Sequence, residues 1–343
     1  ASGASWGRAG DVAVAFYGQS GIGIAATMDL SIVLEWDNLR TAGWRRGAFV
    51  LQALAREIVA HDAVTGGETE VLFMFSPDAV NAGVLAALAG RCLPRDVRVR
   101  LVPRPGEGYY HLKNAGVAAA THDRVVMLDS DTIPQPGWLG SMARALATPG
   151  VDAVAGVTTV DRDSRYARAV ARLWFFPANP PPPGPIFRTR EFWANNAAFR
   201  REVFLGAGGF PEAGLFRGQC RMLAARLIAT GRTIWLAPEA RTVHSPPRGL
   251  VALCVRAVRH GRDAMASAGP QPAQRRLAAS WRRAAQSCGK ARQALADEGG
   301  TGPVPADERW LTMGLALLYS VGRFLGERWE FRHPRRDSQQ ANS

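Results

Sequence analysis

The chain has 343 residues, 47% of them hydrophobic, and carries 42 Lys+Arg against 29 Asp+Glu for a net charge of +13. That length and apolar content suffice for one large or two modest globular domains and exclude a disordered or fibrous chain. Lys113 and Lys290 are the only two lysines, so the charge reflects an arginine-favouring composition more than a nucleic-acid surface, and no nucleic-acid partner is expected. The four cysteines, Cys92, Cys220, Cys254 and Cys288, form no CxxC pair, which argues against a zinc site or disulfide framework and for a reducing, cytoplasmic setting. No stretch reaches the roughly 20 apolar residues of a membrane span, so neither a cleaved leader nor an integral anchor is expected.

In chain order, residues 1–27 read as a tail and lead-in to the first strand. Within them "VAVAFYGQSGIGIAA" (12–26) has glycines spaced as in a dinucleotide fingerprint, the one feature pointing to an oxidoreductase. That fingerprint has to open a helix, and six residues between Gly23 and the next strand leave no room for one. Gly18, Gly21 and Gly23 are therefore expected in a loop. "LSIVLEW" (30–36), "EVLFMF" (70–75), "VRVRLVP" (97–103) and "RVVML" (124–128) are short apolar runs that read as buried strands. Helical spacing at 47–62, 78–90 and 109–120 falls between them. Such alternation predicts an α/β fold with a doubly wound, mostly parallel sheet, whose ligands bind beyond the carboxyl ends of the strands.

The strand at 124–128 ends on "DSD", placing Asp129 and Asp131 at such an exit. Residues two apart in an extended segment point the same way, so both carboxylates can approach one hard cation or the phosphates bound to it. An isolated DxD is equally what an acidic turn looks like, and its surroundings have to decide.

Those surroundings resemble glycosyltransferase family 2, nucleotide-sugar enzymes of the GT-A fold. The resemblance runs from Asp29 to Pro247 through "LEWDN" (34–38), "FSPD" (75–78), "LKNAG" (112–116), "MLDSD" (127–131), "NAAFRREVFLGAGGF" (196–210), "GQC" (218–220) and "VHSPP" (243–247). It implies a GT-A domain over 28–247, a nucleoside diphosphate sugar donor, and a divalent metal, Mn²⁺ or Mg²⁺, held by Asp129, Asp131 and His244. An imidazole ligand favours Mn²⁺ of the two. It further implies donor contacts from Glu35, Asp37, Ser76, Lys113, Asn114 and Asp129, and an acceptor site near Trp193, Asn195 and Asn196. The acceptor is a glycan or a lipid-linked hydroxyl.

The departures carry information too. "LEWDN" puts Glu35 and Trp36 where the family has a proline and a small residue. "GQC" puts Gln219 and Cys220 where inverting members carry Glu-Asp, the source of the base that deprotonates the acceptor. Gln219 can position an acceptor hydroxyl but cannot act as a base. The base is expected elsewhere, at Glu212 first, with Glu191, Asp161 and Asp163 as further candidates. A retaining path, or a non-catalytic relative that only binds nucleotide sugar or glycan, is the alternative.

"FFPANPPPPGPIF" (175–187) must be an extended loop beside the acceptor region. Beyond it, residues 248–343 hold 16 Lys+Arg and 8 Asp+Glu and read as basic helices over 250–265 and 275–296, with a more apolar one over 309–329. They fit either a helical extension packed on the catalytic domain or a peripheral contact with the inner face of a membrane.

Overall fold

The computed structural model describes residues 27–211, 218–266, 273–299 and 304–334. The glycine loop and most of the lead-in lie outside them. The first half alternates strands and helices: β1 (Leu30–Glu35), α1 (Leu39–Ala42), α2 (Trp44–Thr65), β2 (Thr69–Phe75), α3 (Ala82–Cys92), β3 (Arg98–Pro103), α4 (Tyr109–Ala119) and β4 (Arg124–Asp129). Every side chain of β1 and β2 is buried, as expected of strands covered on both faces. The second half adds β5 (Thr132–Pro134), α5 (Trp138–Ala147), β6 (Ala153–Val160), α6 (Arg165–Leu173), β7 (Phe187–Arg188), β8 (Asn196–Arg200), α7 (Arg201–Gly206), α8 (Gln219–Ala229) and β9 (Ile234–His244). Three helices follow: α9 (Gly249–Ala266), α10 (Ala273–Gly299) and α11 (Ala306–Arg332).

The strands join in the order β3-β2-β1-β4-β8-β6-β9-β5, with β7 also on β9. The β1 to β4 strands are mutually parallel, β8 runs antiparallel between β4 and β6, and β9 lies parallel to β6. One face packs Leu34, Trp36, Phe73 and Trp138 beneath α2 and α5, and the other packs Val33, Met74, Phe199 and Phe204 beneath α4, α7 and α8. Helix α4 lies tight on the sheet because Gly116 has no Cβ; one would run into Val33 and Met74. These layers make the predicted α/β fold, with a mixed, mostly parallel sheet.

Local signals set several boundaries. The Asn81 side chain accepts the Val84 N–H (3.1 Å) to start α3, and Ser164 accepts the Ala167 N–H (3.0 Å) to start α6. Gly66, at φ 61°, closes α2 in the left-handed conformation.

The last three helices pack against α6 through Val170, Trp174, Leu253, Leu315 and Tyr319. A buried ion-pair cluster joins them. Arg172 bridges Glu298 (2.7 Å) and Glu308 (3.1 Å), and Arg168 also holds Glu308 (2.7 Å). Gly322 and Gly326 of α11 lie directly against Ala257 and Val258 of α9, a close approach that any larger residue would block. The packed-extension reading of this region is thus met in the structure. No described helix is long and apolar enough to cross a membrane.

Candidate active site

Parallel pairing places Glu35 opposite Asp129 at the exits of β1 and β4, and the Ser130 N–H donates to the Glu35 carbonyl (2.9 Å). The "DSD" turn is therefore stitched to the end of its neighbour strand. From Asp131 the chain enters β5, whose Thr132 pairs with His244 of β9. That pairing unites two residues 113 positions apart in sequence, and His244 Nε2 stands 3.3 Å from Asp131 Oδ2.

The tautomer makes this pair informative. His244 Nδ1 lies 2.5 Å from the Ser245 carbonyl and must donate to it, so in the neutral ring Nε2 presents a lone pair. In that state a lone pair and a carboxylate oxygen face one point of a buried site, where a divalent cation would take both as ligands; a doubly protonated ring would pair with Asp131 directly. His244 (7% exposed) and Asp131 (2% exposed) are both withdrawn from bulk water. An oxygen and a nitrogen donor converging this way fit a divalent ion of the Mn²⁺ type, whose remaining positions donor phosphates would fill.

Asp129 behaves differently from what its place in the motif implies. Lys113, fully buried, stands 2.6 Å from Asp129 Oδ1. The Tyr109 hydroxyl donates to the same carboxylate (2.8 Å to Oδ2), as does Asn38 Nδ2 (3.2 Å). Both oxygens of Asp129 are thus engaged by Lys113, Tyr109 and Asn38, while of the three residues expected at a metal Asp131 and His244 face each other. Among the described residues no group of three metal-ligating side chains converges. Burial, then the negative charge of Asp129, pushes the Tyr109 phenol well above its usual range, so it stays a donor.

Glu35 is 1% exposed. Its Oε1 accepts the Asn38 N–H (3.1 Å), while Oε2 is buried without a hydrogen bond. Burial and the nearby Asp129 charge raise its carboxyl well above the ordinary range against the pull of Lys113, which favours its protonated form. Asp37 accepts the Ser76 N–H (2.8 Å), tying the β1 and β2 exits into one rim.

Other expected contacts turn inward. The Asn114 amide is used on both sides by the backbone of Phe210 (2.8 and 2.9 Å), so it clamps the "GGF" turn instead of reaching toward a donor. Gly209, at φ 64°, is required there, since a Cβ would stand 2.7 Å from Asn114 Oδ1. Asn196, 0% exposed, accepts from Trp138 Nε1 (2.8 Å) and donates to the Ala240 carbonyl and Thr242 Oγ1 (3.1 Å each), so it joins strands instead of meeting an acceptor. Asn195 differs. It is buried, yet neither amide atom has a hydrogen bond. Trp193 is half-buried against Phe175 and Phe176, the latter ring lying 5.4 Å from that of His244.

Gln219 and Cys220 open α8 and are both buried. Burial raises the Cys220 thiol, which lies 3.6 Å from the Tyr110 hydroxyl, and so keeps it neutral. Glu212 lies outside the described residues. Glu191 sits on the exposed loop after β7. Asp161 follows β6 directly, and its N–H donates to the His244 carbonyl (3.0 Å).

Arg46, which no motif singled out, ties this corner together. It donates to the Asp131 carbonyl (3.2 Å), the Val243 carbonyl (2.7 Å) and Asp161 Oδ2 (3.0 Å). One guanidinium thus fixes the backbone on both sides of the Asp131–His244 pair.

Residues 75–206 match the family model described as glycosyl transferase family 2. That segment contains the "DSD" turn, Lys113 and the "NAAFRRE" strand, while Glu35, Asp37, Arg46 and His244 lie outside it. No curated protein matches. Among solved structures, the mannosyltransferase PcManGT from Pyrobaculum calidifontis, in complex with GDP-Man and Mn²⁺, is similar over 89% of this chain and 88% of its own, at 21% identity and a TM-score of 0.51. This likeness shows a shared GT-A fold. TarS 1-349 from S. aureus, in complex with UDP-GlcNAc, covers 90% of this chain and 93% of its own at 12% identity and a TM-score of 0.47. GalNAc-T7 with UDP, GalNAc and Mn²⁺ covers 71% and 52% at 11% identity and 0.48.

Proposed function

We propose that this protein, which carries a family 2 match over residues 75–206, transfers a sugar from a metal-bound nucleoside diphosphate sugar to a hydroxyl of a glycan or lipid-linked acceptor, with inversion at the anomeric carbon. The observation that carries the reading is the Asp131–His244 pair, two metal-type donors brought face to face at the exit of β4. A divalent ion bound there would supply charge neutralisation for the departing diphosphate, usually the larger contribution to such a transfer. Glu35, Asp37 and Ser76 form the rim where the nucleoside would lie. Lys113 supports the site from below by neutralising Asp129.

The test is a calorimetric screen of UDP, GDP and dTDP sugars with Mn²⁺ or Mg²⁺, beginning with GDP-mannose and UDP-GlcNAc. Metal-dependent binding of one donor family is expected, and no binding of any would overturn the reading. A second reading, a relative that binds nucleotide sugar or glycan without transfer, is favoured by the neutral Gln219 and Cys220 at the start of α8. Tight donor binding without transfer to any acceptor would select it.

The tail supports a further part of the proposal, a peripheral membrane contact. From Leu311 to Leu325 every exposed residue of α11 is apolar or glycine, with Trp310 and Trp329 at either end.

A further inference from the structure

The strands that carry His244 also floor a second opening. Gln135, Thr159, Arg162, Asn179, Arg241 and Thr242 contribute to the lining of a cleft of about 350 Å³, within the size range of small-molecule sites. Two of its lining residues are arginines, and no carboxylate lines it. Both arginines are held in place from one side. Arg162 Nη2 donates to the Ala178 carbonyl (3.1 Å) and to Glu298 (3.0 Å), and Arg241 donates to the carbonyls of Pro238 (3.0 Å) and Pro181 (2.6 Å). Among the described residues, Arg162 Nε and Nη1 and Arg241 Nη1 have no such bonds. Glu298 cannot neutralise Arg162 fully, because Arg172 also holds it at 2.7 Å. A pre-positioned pair of guanidiniums with spare N–H groups, Arg162 sharing Glu298 with Arg172 and Arg241 holding only backbone carbonyls, is built for a phosphate or a carboxylate.

Its location gives that anion a role. In the β6/β9 ladder Thr158 pairs with Thr242 and Val160 with His244, so the cleft floor lies two residues, about 7 Å at the usual rise per strand residue, from the His244 pair. The proline loop forms the far wall, and the end of α10 supplies Glu298.

We propose that this cleft is the acceptor subsite, and that the acceptor carries a phosphate or carboxylate which Arg162 and Arg241 hold while its hydroxyl faces the Asp131–His244 centre. The inference rests on the transfer reading above. It adds the chemical class of the acceptor.

The test is calorimetry on the full chain with Mn²⁺ and a binding nucleotide present, using sn-glycerol 3-phosphate against glycerol and methyl glucuronide against methyl glucoside. A third arm uses phosphatidylcholine vesicles with and without farnesyl phosphate, which separates a lipid-borne phosphate from a soluble anion. At least one anionic probe should bind about tenfold or more tightly than its neutral partner, the scale of a charge-assisted bidentate contact. Arg241→Gln and Arg162→Gln should each remove most of that preference while leaving nucleotide binding unchanged. Gln135→Glu removes no hydrogen bond, since this exposed residue is engaged only through its backbone, its N–H donating to the Arg241 carbonyl and its carbonyl accepting from the Trp138 N–H, and it places a negative charge in the cleft; it should abolish the preference with the fold intact. Equal binding of anionic and neutral probes, or a preference untouched by Gln135→Glu, would overturn the proposal. Failure of nucleotide binding alone would instead sink the transfer reading.

Discussion

His244 Nε2 and Asp131 Oδ2 face each other across 3.3 Å, with the other ring nitrogen committed to the Ser245 carbonyl. Two electron-rich atoms held this way favour a cation between them, and the first prediction follows. Asp131→Asn and His244→Ala should each remove most Mn²⁺-dependent nucleotide binding in calorimetry, whereas Asp163→Asn, beyond the pair, should change it little. Equal losses in all three variants would mean that the pair is not the metal site.

The sequence implied this pair only through the family 2 resemblance, and the β5–β9 pairing is what brings the two side chains within 3.3 Å. A strand ending on "DSD" and a late histidine after "IWLAPEARTV" meet once β5 pairs with β9. What the motifs did not reveal is which way each polar side chain turns. Asn114 and Asn196 sit in motif positions yet spend their amides on Phe210 and on the β8 and β9 strands. Arg46 and Tyr109 sit in no motif, and they reach the site only because α2 and α4 pack where they do. Spacing within one element is readable from sequence, while contact between elements depends on packing angles that no local pattern encodes.

The buried Lys113–Asp129 pair is the second point of test. Removing one partner leaves the other as an uncompensated buried charge, a loss that runs to about 3–5 kcal/mol in buried pairs. Lys113→Met should therefore lower unfolding free energy by several kcal/mol in urea titrations. The double variant Lys113→Met with Asp129→Asn should recover a substantial part of it. A single variant as stable as the parent would show that the pair adds nothing.

Glu35 gives a pH prediction. Its folded carboxyl titrates well above the unfolded range near 4.5 because burial and the Asp129 charge disfavour ionisation. The folded state then holds a proton that the unfolded state has already released. Stability from this group is complete at low pH and is lost as pH rises above the unfolded value, through the folded one. Glu35→Gln removes the titration, so thermal melts between pH 5 and 9 should show the variant gaining on the parent as pH rises. A constant difference across that range would contradict the assignment.

The outward face of α11 predicts lipid binding of a particular kind. Its exposed residues from Leu311 to Leu325 bear no charge, while Arg309 and Arg332 flank the stripe. Flotation with anionic vesicles should exceed that with neutral ones and weaken with salt, because attraction between exposed charges is screened over about 8 Å at physiological ionic strength. Leu317→Ser with Leu325→Ser should reduce it without loss of fold. Concentration-dependent dimerisation in sedimentation, with no vesicle binding, would assign the face to a second copy of the chain instead.

The last prediction concerns the proton that the acceptor hydroxyl must lose. Gln219 has no basic form and Cys220 is held neutral by burial, so an inverting reaction needs a carboxylate placed elsewhere. Asp161 lies beside His244, but Arg46 already occupies its Oδ2 at 3.0 Å. Asp163 is exposed, and the adjacent Asp161 charge raises its carboxyl above the ordinary range, which strengthens it. It also neighbours Arg162 at the mouth of the proposed acceptor cleft. Asp163→Asn should then cost about 10²-fold or more in kcat, on the scale of lost general-base catalysis, with donor affinity unchanged. Asp161→Asn should affect donor binding as well, through the loosened Arg46 bridge. Glu212→Gln and Glu191→Gln complete the comparison, and a loss confined to either one would move the base there. Product stereochemistry measured on the same transfer decides the class of mechanism, because direct displacement inverts the anomeric carbon and a retained configuration would remove the need for any of these carboxylates.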